Sequence, residues 1–186
     1  MELRGTELKM RTRYKIYNDD TLHFITSTIV DWIPIFTNKK YYNILIDTIK
    51  YYQSNSKLEV IAYVFLPEHF HMILKSRELS KTIRLIKMYS AKEIIKQLKF
   101  DEQKQILKKL QLNKKEYKTK SNFQLWQEGF KPKEIIGSEM LRQKIDYIHF
   151  NPVKKRLVSE PTEWEYSSAN FYKSGKSGVI DLNLEF

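Results

Sequence analysis

The 186-residue chain has no cysteine. That excludes disulfides, thiolate-held zinc, iron–sulfur clusters and a thiol nucleophile. Long apolar runs are missing too: the longest, Val60 to Leu66, is far short of the ~20 residues of a membrane-spanning helix. The N-terminal residues lack an apolar signal-peptide core, so the expectation is a cytoplasmic protein with no membrane partner. Glycine is scarce, at positions 5, 129, 137, 175 and 178. No spacing among these makes a phosphate-binding P-loop or a dinucleotide fingerprint. G-x-S-x-G and H-E-x-x-H are likewise absent, which argues against ordinary serine hydrolysis and helix-borne zinc.

Negative charge is in deficit. Lysine and arginine number 33 against 22 acidic residues, for a net charge of +11. With 12 Tyr, 10 Phe and 3 Trp, this balance points to a polyanionic partner. Basic groups neutralise phosphates, and aromatic rings offer stacking faces to unpaired bases. The length suits one domain.

Residues 1–20 are polar, basic and without period, and read as an arm. Leu22 to Ile29 alternates apolar and polar with β-branched residues, which predicts a strand. Asp31 to Phe36, holding Pro34, reads as a connection. Asn38 is placed to cap a helix carrying Tyr42, Leu45, Ile46, Ile49 and Tyr52 at three- and four-residue spacing. Leu58 to Phe65 and His69 to Lys75 predict two strands of a hairpin across Leu66-Pro67-Glu68.

Ser80 is a candidate cap for a helix running to about Lys99. Its apolar side is Leu79, Ile83, Ile86, Ile94 and Leu98; its other side gathers Lys81, Lys92, Lys96 and Lys99. Adding Arg84 and Lys87 gives six basic residues against Glu93 alone. Such imbalance marks Lys81, Arg84, Lys92, Lys96 and Lys99 as candidate DNA-binding residues; the competing reading is a solvated face.

Residues 101–120 form a lysine-rich insertion with room for a short helix. Phe123 to Gln127 predicts a strand and Gly129 to Gly137 a loop. Ser138 would cap a last helix, ended near Phe150 by Pro152. The tail, residues 173–186, turns polar. Strand, helix, strand, strand, helix, strand, helix is the order of an α+β, ferredoxin-like antiparallel sheet with helices packed on one face.

Two small constellations carry chemistry. In His69-Phe70-His71, strand alternation puts both imidazoles on one face. With no thiol available, such a pair suits a divalent ion completed by oxygen ligands, Mg²⁺ or Mn²⁺; two hydrogen-bonded histidines are the plainer alternative. In Tyr147-Ile148-His149-Phe150-Asn151-Pro152, Tyr147 and Asn151 are four apart and share a helix face. A phenol can attack phosphorus beside a metal-polarised phosphate. A core tyrosine and a helix-terminal asparagine are the competing reading. His149 lies off that face and reads as structural or solvent-facing; His23 has no evident partner.

LPEHFHMIL (Leu66 to Leu74), IDYIHFNPVKKRLV (Ile145 to Val158) and WEYSSANFY (Trp164 to Tyr172), in that order, resemble the single-tyrosine HUH transposases, and most closely their REP-associated branch. The resemblance spans residues 22–172, within a transposase-like domain drawn as 21–172. It implies the ferredoxin-like fold, with His69, His71 and Asn151 as ligands of Mg²⁺ or Mn²⁺ and Tyr147 as the nucleophile. It further implies cleavage and rejoining of single-stranded DNA at hairpin or palindromic elements through a 5′-phosphotyrosine, by a homodimer or a monomer. Trp126, Gln127, Gly129 and Phe130 fit a pattern common in that family. The acidic residue and histidine that often follow it are replaced by Lys131-Pro132-Lys133-Glu134. The alternative is a non-catalytic, domesticated single-stranded DNA-binding protein. Retention of His69, His71, Tyr147 and Asn151 speaks for the enzyme. Replication nickases bring further domains, and a small-phosphoester hydrolase would not need the charge.

Overall fold

A computed structural model describes residues 21–184. The basic arm expected at 1–20 lies outside the described residues. Strand β1 (His23–Thr28) leads through a 3₁₀ turn (Val30–Trp32) to helix α1 (Lys39–Ser56). Asn38 caps α1 as its sequence position predicts, its side-chain oxygen accepting from Lys40 N at 3.2 Å. The hairpin β2 (Glu59–Leu66) and β3 (His69–Lys75) follows, then α2 (Leu79–Phe100), α3 (Lys104–Leu112), the two-residue β4 (Lys133–Glu134), α4 (Gly137–Lys154) and α5 (Ala169–Ser174).

The sheet order is β2-β3-β1-β4, and each neighbouring pair is antiparallel. This is the ferredoxin-like order. The crossover helices α1 and α2 cover one face, where Ile25, Tyr63, Phe65, Phe70 and Met72 meet Leu45, Ile49, Ile83, Ile86 and Ile94. Phe70, Met72 and Leu74 point there, as alternation requires. Each such side chain fully buried stabilises the fold by about 1.5–3 kcal/mol.

The expectation of helices on one face holds for α1 and α2 and fails for α4. Strand β2 is apolar on both faces, so Val64 and Leu66 need their own cover, together with Ile73 of β3. Ile148 of α4 supplies it. Helix α4 therefore lies on the face that carries His69 and His71, and this is what positions the site.

Three local expectations are corrected. Phe123 to Gln127 is not a strand. Leu125 O accepts from Val30 N (2.8 Å) and Gln127 N donates to Thr28 O (2.8 Å), but Gln124 N turns to Leu110 O of α3 (3.3 Å). The backbone is shared between two elements, only one isolated bridge forms (Ile29 with Trp126), and the fourth strand lies at β4. Ser80 and Ser138 sit inside their helices; the caps are Glu78 and Ile136, without side-chain bonds. Pro152 does not end α4, which runs on to Lys154. Proline removes one N–H, but Lys155 N still reaches Asn151 O and Leu157 N reaches Pro152 O, both at 3.0 Å.

In the lysine-rich segment, α3 is anchored by the fully buried Leu110. The tail is docked as far as it is described: Asn183 N donates to Val60 O at 2.8 Å and Ile180 is buried. A side chain at Gly178 would overlap the Tyr63 hydroxyl. Among the described residues, no helix is long and apolar enough to cross a membrane.

Candidate functional site

His69 and His71 stand on β3, paired across the sheet with Thr28 and Thr26 of β1. Their Nε2 atoms face each other at 3.1 Å. Each remaining ring nitrogen is held. His69 Nδ1 is 3.1 Å from Glu68 Oε1, and His71 Nδ1 is 2.7 Å from Thr26 Oγ1. Donation from His69 Nδ1 to the carboxylate leaves its Nε2 as a bare acceptor, and donation from His71 to Thr26 would do the same there. Fixing one ring nitrogen so that the other is free is how ligating histidines are oriented. Both rings are buried. Burial pushes the His69 pKa down against the opposing pull of Glu68. For His71, burial followed by the charges of His69, Lys144 and Lys155 pushes it down to about 3. Burial thus favours, for both imidazoles, the neutral form that binds cations.

Helix α4 brings Tyr147 over this pair. Its ring lies edge-on to the His71 imidazole, with centroids 5.3 Å apart, and 5.9 Å from Phe24, which itself stacks on His71 at 5.3 Å. Tyr147 remains 39% exposed. Two ammonium groups flank its ring: Lys144 Nζ at 5.6 Å and Lys154 Nζ at 5.4 Å from the centroid. Lys155 Nζ bonds Glu68 Oε1, the same oxygen that holds His69.

Asn151 is one helical turn beyond Tyr147 and only 6% exposed. Its backbone carbonyl accepts from Lys155 N, but its carboxamide makes no hydrogen bond to any described residue. Among the described residues no group of three or more His, Cys, Asp or Glu side chains is arranged to hold an ion. Two convergent imidazole nitrogens 3.1 Å apart, with both outer nitrogens engaged, nevertheless fit one divalent cation bonded to each at about 2.1 Å, and the free carboxamide is an oxygen donor of the right kind.

His149 is buried, with Nε2 2.9 Å from Ser168 Oγ and its ring against Tyr172. Burial holds its pKa down to about 4. It ties α4 to β2 through Ser168, whose hydroxyl also meets Tyr63 N and O; its role is structural. His23 Nδ1 contacts Thr21 O at 3.0 Å.

The five basic residues singled out on α2 lie elsewhere. Lys81, Arg84, Lys92, Lys96 and Lys99 are exposed and line a groove of about 1440 Å³ between α2 and residues 118–132. Lys99 Nζ stands 5.3 Å over the Phe123 ring. Lys87 clips the far wall to α2, donating to Gln127 O at 2.7 Å and to Gly129 O. Burial, with Lys118 nearby, lowers its pKa to about 8. Because α2 covers the face opposite the histidines, this groove and the His69/His71 pair lie on different sides of the sheet.

Sequence reasoning missed the lysines around Tyr147, Thr26 behind His71, and Trp32. The spacing of Lys144, Tyr147, Asn151 and Lys154 or Lys155 at threes and fours was a usable signal. Thr26 was not, because its partner is set by β1–β3 register.

No protein-family model matches the chain. A curated protein of Haemophilus influenzae, described as a candidate REP-associated tyrosine transposase, is 26% identical over 133 residues, covering 68% of this chain and 71% of that protein. A solved structure of a REP-associated tyrosine transposase bound to a REP hairpin has the same fold: TM-score 0.67, 21% identity, 94% of this chain and 92% of that one. A candidate transposase structure from Deinococcus radiodurans gives a TM-score of 0.43 at 16% identity, over 74% and 93% of the two chains. In sequence and in fold, the chain is similar to the REP-associated tyrosine transposases.

Proposed function

We propose that this chain is a DNA transposase of the REP-associated tyrosine type, with residues 21–172 as its catalytic unit. It cleaves and rejoins single-stranded DNA at hairpin elements. The observation that carries this reading is the convergence of the His69 and His71 Nε2 atoms, 3.1 Å apart, with the Tyr147 ring 5.3 Å from His71. The sequence relative's name and the hairpin-bound fold relative support it.

His69, His71 and Asn151 would hold a divalent cation, Mg²⁺ or Mn²⁺, with the imidazole nitrogens better suited to Mn²⁺. The bound ion supplies charge neutralisation and polarisation of the scissile phosphate. The Tyr147 hydroxyl oxygen bonds to phosphorus, and the bond from phosphorus to the 3′-oxygen breaks. The phenolic proton ends on that 3′-oxygen. A 5′-phosphotyrosyl link and a free 3′-hydroxyl result. Lys144 and Lys154, flanking the ring, favour negative charge on the phenol oxygen and on the phosphate as the bond forms. Glu68 and Thr26 hold the two imidazoles in place. Attack by a second 3′-hydroxyl reverses the step and joins new ends. One phosphoester is exchanged for another throughout, so no nucleotide hydrolysis is needed. Lys81, Arg84, Lys92, Lys96 and Lys99 would take phosphates away from the cleavage point.

Replacing Tyr147 with Phe tests the reading. The variant should form no covalent adduct with a hairpin oligonucleotide in Mn²⁺, seen on a denaturing gel, while binding it within a few-fold of the wild type. Continued cleavage by the variant rules out Tyr147 as the nucleophile.

A further inference from the structure

Trp32 stands beside the histidine pair and has no part in the chemistry above. It is 56% exposed, an uncommon state for the largest apolar side chain. Its ring lies edge-on to the His69 imidazole with centroids 5.4 Å apart, and Lys155 Nζ is 5.9 Å from the indole centroid. Core packing does not explain it, since the side chain looks outward at the rim of the site.

The backbone goes to some expense to present it. Asp31 and Trp32 both have φ of +53°, the left-handed region that bulky side chains rarely enter. The segment is nonetheless fixed from several sides. Ile29 N donates to Glu68 O and Val30 N to Leu125 O, both at 2.8 Å; Trp32 N donates to Ile29 O and Ile33 N to Val30 O, both at 3.2 Å. Glu68 precedes His69, so the loop and the histidine strand are bolted together. A rigid, strained loop that holds an indole in solvent next to a phosphate-handling site has the form of a stacking platform.

We propose that Trp32 is the stacking face for an unpaired nucleobase adjoining the scissile phosphate, and so fixes which phosphate is presented to His69 and His71. The inference rests on the single-stranded DNA reading above. The neighbourhood suits a nucleotide better than a protein side chain. Lys155 lies over the indole and would meet the phosphate joined to the stacked base, and the chain carries a net charge of +11.

The test uses the full chain and a hairpin oligonucleotide with unpaired flanks, with two readouts. The first is tryptophan emission, which a stacked base quenches. Of the other two tryptophans, Trp126 is buried and Trp164 donates its Nε1–H to Phe65 O at 2.9 Å, so quenching should come mainly from Trp32 and vanish in Trp32→Phe. The second is affinity and covalent adduct formation with oligonucleotides made abasic at one flank position at a time. Trp32→Ala should weaken the intact substrate by about 5- to 150-fold, Trp32→Phe far less, and one abasic position should bring wild type and Trp32→Ala level. Quenching that persists in Trp32→Phe overturns the platform. So does a Trp32→Ala variant that matches wild type on the intact strand, or one equally impaired on every abasic strand. If no protein forms an adduct while quenching stays dependent on Trp32, the platform stands and the nucleophile reading falls. Adducts without any dependence on Trp32 remove the platform alone.

Discussion

Asn151 is only 6% exposed as a residue, and its carboxamide makes no hydrogen bond to a described residue. A structural asparagine in that position would be tied to backbone. Lacking such ties, this one has little to lose on truncation: Asn151→Ala should change unfolding free energy by less than about 1 kcal/mol. Its cost should instead fall on the cation. Calorimetric titration with Mn²⁺ should show affinity at least about tenfold weaker in Asn151→Ala, and no binding in His71→Ala. A destabilised Asn151→Ala protein that binds Mn²⁺ like the wild type would make the side chain a packing group. The four-residue spacing of Tyr147 and Asn151 was legible because α4 is regular across both. Pro152 suggested an earlier end, but a proline in the last turn takes away only one donor, and its own burial keeps it in the helix. Trp32 was illegible. A lone tryptophan in a connection has no period, and its exposure follows from two left-handed residues that no local pattern announces.

Helix α2 presents its apolar stripe to the sheet and its basic stripe to a groove, and both stripes could be read from spacing alone. What spacing could not give was the opposite wall. Residues 118–132 fold back against α2 through Lys87 and the Lys99–Phe123 contact, and the fourth strand that sequence placed at 123–127 lies at β4 instead. Gln124, Leu125 and Trp126 are buried in succession, which a non-ladder segment can achieve as well as a strand. The β2–β3 hairpin was more legible, because Pro67-Glu68 leaves room for little else between two β-branched runs. Under the proposed function, the location of α2 on the face away from the histidines would give its lysines the holding of DNA, not its cutting. Neutralising Lys81, Lys92 and Lys96 together with Gln should make the plot of log affinity against log salt shallower by about 2, since each single-strand phosphate contact contributes about 0.7. Adduct formation at saturating DNA should be unchanged. Binding measured between low and moderate salt checks the first, and a single-turnover gel assay the second. An unaltered salt slope would leave α2 as a solvated face.

At the scale of the whole molecule, the sheet separates two tasks. One face, with α1 and α2 packed on it, holds most of the hydrophobic core. The other carries α4, and with it the histidines, the phenol and the flanking lysines. His71 and Tyr147 meet within a single copy of the chain, and α4 is held to its own β2 by Ile148 and by the His149–Ser168 bond. If the nucleophile were instead lent by a second copy, α4 would have to leave this seat and uncover Ile148, Val64 and Leu66 until the second copy's α4 took its place. The site should consequently work in cis. Mixing a His69→Ala/His71→Ala protein with a Tyr147→Phe protein should restore no adduct formation at any ratio, and adduct yield from the wild type should rise in proportion to protein concentration. Activity regained in the mixture would mean that helices are exchanged between copies, and that the arrangement of α4 on its own sheet is not the working one.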